Sequence, residues 1–267
     1  MSPTPIERLV FEETASDFYR SVWNTENSRT PRNELPPLKR EQYANTPFAR
    51  RLYRTDNLLA KVAYYNERPF LIGRHLSDIG REEYGDLGNR PLVAFASIHE
   101  CLEKALWCTT RNILPIIADK DEDITGMLAQ RYEVDSIVAD SATIEKTATA
   151  LARHYDTTKT AYVTVVDITF NLPLLIRTFP STQIHLVLGL PETGGIAYAC
   201  PVALAGQKIV FHESENYVVD TTTDLTVTRT HMLPTPIINY RPGLTVRFLE
   251  KDCSCKGTRA FELASTS

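Results

Sequence analysis

The feature that most constrains this chain is an alternation of apolar runs that begins at Pro91 and ends at Leu188. Residues 92–96 are short and apolar, and Ser97 suits a helix N-cap. Ile98, Leu102, Ala105 and Leu106 then fall on one helical face, which leaves Glu100, Glu103 and Lys104 for water. Residues 113–118 read as a buried strand, and the unit repeats. A helix is predicted over 124–132, a strand over Ser136–Ala139, a helix over 142–154, a strand over 161–167, a helix over Leu172–Thr178 and a strand over 183–188. Strands joined by helical crossovers run parallel, and the crossovers are right-handed, so the pattern predicts an α/β fold with helices on both faces of a mainly parallel sheet.

The flanks have other rhythms. Residues 1–57 mix charge, proline and aromatics; 6–23 could form a helix with Leu9, Phe18 and Val22 inward, and Pro31, Pro36 and Pro37 punctuate a polar connector. Residues 59–65 and 69–72 read as two strands around the turn residues Asn66, Glu67 and Arg68. After Cys200 the helical signals stop. The runs 208–212, 216–219, 223–229, 236–240 and 244–248 are short and rich in β-branched or aromatic residues, which predicts a small antiparallel β unit. The expected organisation is a helical or irregular segment over 1–57, an α/β sheet domain over 58–190 and a small β unit over 191–267.

Composition removes several functions. A formal charge of −4 on 267 residues, without clustered Lys and Arg, points away from nucleic acid and anionic membrane surfaces. There is no basic-then-apolar start and no apolar run of the roughly 18 residues that a membrane span needs, so a cytoplasmic protein is expected. Five cysteines, an odd and unevenly spaced set, argue against a secreted disulfide framework.

Candidate chemistry begins where the last strand of the alternation ends, in the stretch GLPETGGIAYAC, 189–200. Open α/β sheets bind ligands outside the carboxyl ends of their strands, and glycines there let backbone approach a ligand closely. Glu192 would stand at that mouth. The stretch resembles the Thr-Glu loop of the adenylate-forming synthetases, and most closely the phenylacetate-CoA ligase branch, in which a similar turn runs into an Ala-Tyr-x-Cys strand. The segment 232–244, MLPTPIINYRPGL, resembles a second landmark of the same family, usually read Pro-Leu-Ile-Arg-Tyr-Arg-Thr-Gly-Asp. The resemblance covers roughly 91–263.

Such enzymes activate a carboxylate at the α-phosphorus of ATP, expel pyrophosphate and pass the acyl-AMP to a thiol, so their sites need preorganised donors and magnesium. The resemblance makes Glu192 the carboxylate associated with Mg²⁺, and Gly189, Thr193 and Gly194 contacts to the nucleotide phosphate. Tyr240 and Arg241 join the same ATP or AMP site. Tyr198 borders the acyl or adenine pocket, or is a core tyrosine on a strand.

Several positions depart from the family. Leu244 stands where an aspartate accepts hydrogen bonds from both ribose hydroxyls, and Pro242 where a small hydroxyl residue is usual; losing those bonds weakens nucleotide binding by roughly 1.5–3 kcal/mol each unless Asp220 or Asp224 substitutes. Residues 68–86 hold too few glycines and hydroxyls for a phosphate loop. Residues 165–171 lack the usual Gly-Gly-Glu, and the separate domain that carries the catalytic lysine is expected to be absent. The expected function is therefore a degenerate, non-catalytic relative, a pseudoenzyme with a remnant nucleotide or acyl pocket that acts by binding, toward a partner protein or a second copy. The alternative is an active AMP-forming acid-CoA ligase that borrows its lysine from another polypeptide.

Cys200, His212, Cys253 and Cys255 form a Cys3His set of the kind zinc accepts in closed structural sites, against the alternative of unpaired thiols. The phenylacetate-CoA ligase branch is similar at these positions, and the resemblance implies a zinc clip on the carboxyl-terminal turn.

Overall fold

In a computed structural model of the chain, the described residues are 6–7, 9–10, 16–23, 30–52, 58–76, 79, 84, 87–220, 224–230, 237–249, 253, 255 and 259–264. The chain divides into two compact units, the first built from 1–78, 191–196 and 210–267 and the second from 79–190 and 197–209.

The first unit opens with α1 (Asp17–Trp23), β1 (Leu38–Lys39), α2 (Arg40–Asn45), α3 (Phe48–Arg51), β2 (Leu58–Tyr65) and β3 (Arg68–His75). The predicted early helix is described over its second half, where Phe18 and Tyr19 are buried; 11–15 lie outside the described residues. Strands β2 and β3 pair antiparallel from Leu58↔His75 to Tyr65↔Arg68. The turn sits where the sequence placed it, and Asn66 and Glu67 both adopt positive φ, 48° and 63°, as a two-residue hairpin of this twist requires. Arg51 is 1% exposed: its guanidinium lies 4.5 Å from the Tyr43 ring centroid, and its Nε and Nη2 donate to the carbonyls of Thr46 and Leu71.

The second unit carries the alternation as β4 (Pro91–Ala94), α4 (Ile98–Thr109), β5 (Ile116–Ile117), α5 (Glu122–Arg131), β6 (Ser136–Ala139), α6 (Ile144–His154), β7 (Tyr162–Asp167), α7 (Leu172–Thr178) and β8 (Gln183–Leu190). Its strands lie in the order β5-β4-β6-β7-β8 and every neighbouring pair is parallel. Asp121 caps α5, accepting from the backbone N–H groups of Asp123 and Ile124, which accounts for part of the acidic turn after β5. Gly126 permits α5 to sit against α6: a Cβ there would lie 2.5 Å from the His154 ring and 2.6 Å from the Ala150 carbonyl oxygen.

Two expectations fail in this unit. Strand β5 is two residues long and half-buried at the sheet edge rather than a buried strand over 113–118. Helix α4 is turned the other way from the expected face. It buries Cys101, Glu103, Lys104, Trp107 and Cys108, whereas Ile98, Leu102 and Leu106 are 58%, 48% and 37% exposed. The physical reason is the company kept by the charged side. Lys104 Nζ is 3.2 Å from Glu103 Oε1, contacts the Tyr84 hydroxyl and lies 4.5 Å from the Tyr84 ring centroid, and Trp107 packs edge-on against the same tyrosine at 4.9 Å. A paired ammonium with an aromatic wall tolerates burial, so the bulkier Trp107 decides which face goes inward.

The chain then forms β9 (Gly194–Ala199), whose first three residues belong to the first unit and last three to the second. A short α8 (Pro201–Ala205) follows, against the expectation that helices end at Cys200; Pro201 opens it, a position where the missing N–H costs nothing. The first unit is completed by β10 (Phe211–Glu213), β11 (Tyr217–Asp220), β12 (Thr226–Arg229), β13 (Tyr240–Arg241), β14 (Val246–Phe248) and β15 (Ala260–Leu263). One small sheet here has the order β1-β13-β12-β11, antiparallel except for β1 beside β13; β15 pairs antiparallel with both β14 and β10. The expected antiparallel β character is present, and β15 is a strand that the sequence reading did not anticipate.

Candidate functional site

The loop after β8 is a tight turn over 191–193, and Gly194, at φ 72°, starts β9 in a conformation that a side chain would strain. Gly189 lies within β8 itself, in the second unit. Thr193 is fully buried, its backbone carbonyl accepting from the Tyr217 hydroxyl and its own hydroxyl donating to the Gly194 carbonyl at 3.1 Å. The turn is thus fastened down in the first unit.

Glu192 is the centre of that fastening. Its side chain is 0% exposed, and both carboxylate oxygens are engaged. Arg40 reaches it from the first position of α2, with Nε 2.7 Å from Oε1 and Nη2 3.3 Å from Oε2, and the Tyr240 hydroxyl donates to Oε1. Tyr43 packs edge-on to Tyr240 at 5.7 Å, closing the aromatic side. Burial, then the adjacent Glu192 charge, hold the Tyr240 hydroxyl well above its ordinary pKa, so the tyrosine remains a donor. A guanidinium and a hydroxyl thus stand against the enclosed carboxylate. Sequence reasoning missed Arg40 and Tyr43, which lie in a stretch with no periodicity and no motif.

The second landmark is described from Ile237 onward; 232–236 lie outside the described residues. Tyr240 and Arg241 form β13, and Arg241 Nη1 stands 3.6 Å from Asp224 Oδ2. Leu244 is half-buried, and its backbone carbonyl accepts from the Leu225 N–H at 2.7 Å. Asp224 forms a β-bridge with Thr245 and is 53% exposed at its side chain, whereas Asp220 is held by Arg32 and has Arg259 at 3.9 Å. Of the two candidate substitutes for the ribose carboxylate, Asp224 is the one beside Leu244 in the β-ladder.

Tyr198 lies in the second unit and is 36% exposed. It borders a cavity of about 300 Å³ together with Tyr84, Trp107, Arg111 and His185. Gly189 does not line this cavity. Residues 68–75 of the region searched for a phosphate loop form β3, an ordinary hairpin strand.

In the first unit His212, on β10, is 1% exposed, and Cys255 Sγ lies 3.1 Å from its Nε2. Their ligand atoms and that of Cys253 lie within 4.8 Å of one another. A tetrahedron with bonds of about 2.0–2.3 Å spaces its ligands roughly 3.3–3.8 Å apart, so this nitrogen and these sulfurs are placed to share an ion, and two thiolates with an imidazole suit zinc. Cys200, fully buried, is the residue between β9 and α8.

Compared with known proteins, the chain matches no protein-family model and no curated protein sequence. Solved structures do match. A 2-hydroxyisobutyryl-CoA ligase, in an open conformation in complex with 2-HIB-AMP and CoA, superposes with a TM-score of 0.71 at 8% identity over 96% of this chain and 71% of its own. The same ligase in the postadenylation state gives 0.72 over 64% of its length. O-succinylbenzoate coenzyme A synthetase of Bacillus subtilis gives 0.54 at 9% identity over 79% of this chain and 49% of its own. The likeness is one of fold, and the chain spans 64 to 71% of the length of the 2-hydroxyisobutyryl-CoA ligase chains it matches. No helix among the described residues is long and apolar enough to cross a membrane.

Proposed function

We propose that the chain is a degenerate relative of the adenylate-forming acyl-CoA ligases, related to the phenylacetate-CoA ligase branch, that binds rather than catalyses and keeps a remnant nucleotide or acyl pocket. The observation that carries this reading is Leu244: a half-buried hydrocarbon side chain stands where the resemblance calls for two acceptor oxygens to hold a ribose. In the remnant pocket, Glu192 is the carboxylate for a magnesium-bound nucleotide, with Thr193, Gly194, Tyr240 and Arg241 as the residues of the same unit that the resemblance assigns to the ligand. The pocket's ligand is ATP, AMP or an acyl group, and its output is contact with a partner protein or a second copy in the cytoplasm.

A second reading, an active AMP-forming carboxylate-CoA ligase completed by a lysine from another polypeptide, is favoured by Asp224, an exposed carboxylate bridged to the residue after Leu244. Calorimetric titration with ATP and with AMP, magnesium present, tests both. The expected result for the binding protein is affinity no better than about millimolar, since two ribose bonds are gone at roughly 1.5–3 kcal/mol each. Micromolar binding that disappears in Glu192→Gln would overturn it in favour of the ligase.

The carboxyl-terminal cysteines support a separate structural role. We propose that Cys200 completes a Cys3His zinc site with His212, Cys253 and Cys255. Ser214 N–H donates to the Ile196 carbonyl at 2.9 Å, which sets β9 beside β10. The domain organisation proposed from sequence, 1–57, 58–190 and 191–267, makes this zinc the clip of the last part.

A further inference from the structure

We infer that Arg40 is a resident cation that occupies the Glu192 carboxylate, and that the segment from Arg32 to α2 is a strap that must lift before the carboxylate can take a metal ion. The inference rests on Glu192 being the remnant of a cation-binding carboxylate, and it adds what regulates that site. Three observations carry it. First, the guanidinium engages both oxygens of Glu192 from one side, Nε at 2.7 Å and Nη2 at 3.3 Å, while the Tyr240 hydroxyl donates to Oε1. Magnesium needs carboxylate oxygen at about 2.0–2.1 Å with further oxygen ligands around it, and a carboxylate 0% exposed and covered by a guanidinium offers it no approach. Arg40 supplies the positive charge in its place.

Second, Arg40 is delivered by a short element, anchored by the buried Leu35 and Leu38 and by the ion pair of Arg32 with Asp220. Strand β1 pairs with β13 through only two residue pairs, Leu38↔Tyr240 and Lys39↔Arg241, and Leu38 N–H donates to the Asn239 carbonyl at 2.9 Å. Third, one side chain gathers the strap's earlier carbonyls: Asn239 Nδ2 donates to Arg32 O at 2.6 Å and to Leu35 O at 3.0 Å. Asn239 itself is held at φ 46°, a conformation that asparagine tolerates better than most residues. Residues 239 and 240, adjacent in sequence, therefore hold the strap and the carboxylate respectively, so releasing one loosens the cover of the other.

The test uses the full chain saturated with zinc and free of nucleotide, and follows free Mn²⁺ by electron paramagnetic resonance. Arg40→Gln is expected to bind one Mn²⁺ at least tenfold more tightly than the unaltered protein. Arg40→Gln with Glu192→Gln should lose that gain, and Arg40→Lys, which keeps the charge, should stay near the starting affinity. Equal Mn²⁺ binding by folded Arg40→Gln and the unaltered chain overturns the inference. If Arg40→Gln does not fold, Asn239→Ala decides, since it frees the strap with Arg40 in place; unchanged Mn²⁺ affinity in that variant overturns the inference equally. Mn²⁺ gained in Arg40→Gln without any ATP or AMP binding leaves the strap standing and removes the nucleotide reading, so the two failures are distinct.

Discussion

Glu103 and Leu102, neighbours on α4, invert the usual rule that charge faces water. Glu103 is 0% exposed and pairs with Lys104, itself 2% exposed, whereas Leu102 is 48% exposed. The ion pair sits in a setting where losing one partner leaves the other charge buried without compensation, and this costs about 3–5 kcal/mol. Glu103→Ala is therefore expected to destabilise the protein by roughly 3 kcal/mol, and Leu102→Glu by less than about 0.5 kcal/mol, both read from urea denaturation midpoints. The reverse ranking would mean that the sequence-level face of α4 is the buried one. Composition alone favours that face, since Ile98, Leu102, Ala105 and Leu106 outnumber the apolar residues opposite; only the position of Tyr84, fourteen residues before Ile98 in sequence, reveals why the charged face is taken inward.

Among the elements, the β2–β3 hairpin was the most legible in the sequence outside the parallel sheet, because its turn residues separate two β-rich runs. Its chemistry is not ideal. Glu67 takes φ 63°, a region that costs a residue with a Cβ roughly 1–2 kcal/mol and that a type I′ turn fills best with glycine. Part of that cost is offset by glycine's greater freedom in the unfolded chain, so Glu67→Gly should stabilise the protein by about 0.5–1 kcal/mol, visible as a raised thermal midpoint in calorimetry. A lowered midpoint would show that the glutamate side chain contributes more than its backbone strain costs. Strands β5 and β15 were the opposite case. The first is trimmed to two residues because it lies at the sheet edge with a single neighbour, and the second follows residues whose composition gives no periodic signal.

For the whole molecule the proposed zinc site is the strongest lever on stability, because it would tie residue 200 to residue 255. A ligand that binds only the folded chain stabilises it by about 2.7 kcal/mol at a hundredfold excess over its Kd, and each kcal/mol moves the thermal midpoint of a chain this large by roughly 2–4 °C. Metal analysis should find one zinc per chain. Cys253→Ser, or a strong chelator, should release it and lower the midpoint by on the order of 5–10 °C. An unaltered protein that holds no metal after expression in zinc-sufficient medium, with a midpoint that Cys253→Ser leaves unchanged, would remove the clip. This measurement is independent of the calorimetric test for nucleotides, since it asks nothing of Glu192.

By itself, the sequence determined the parallel αβ alternation of 91–188, the hairpin at 58–75, the β character of the carboxyl-terminal part and the grouping of Cys and His residue types, because each is written in local periodicity, turn chemistry or side-chain identity. The tertiary structure decided what those signals leave open: which side of α4 is buried, how short an edge strand becomes, and what stands against Glu192. That last point could not be read from the chain, since Arg40 and Glu192 are separated by 152 positions and no pattern links them. A carboxylate's role depends on the charge that faces it, and only the fold brings the guanidinium to within 2.7 Å.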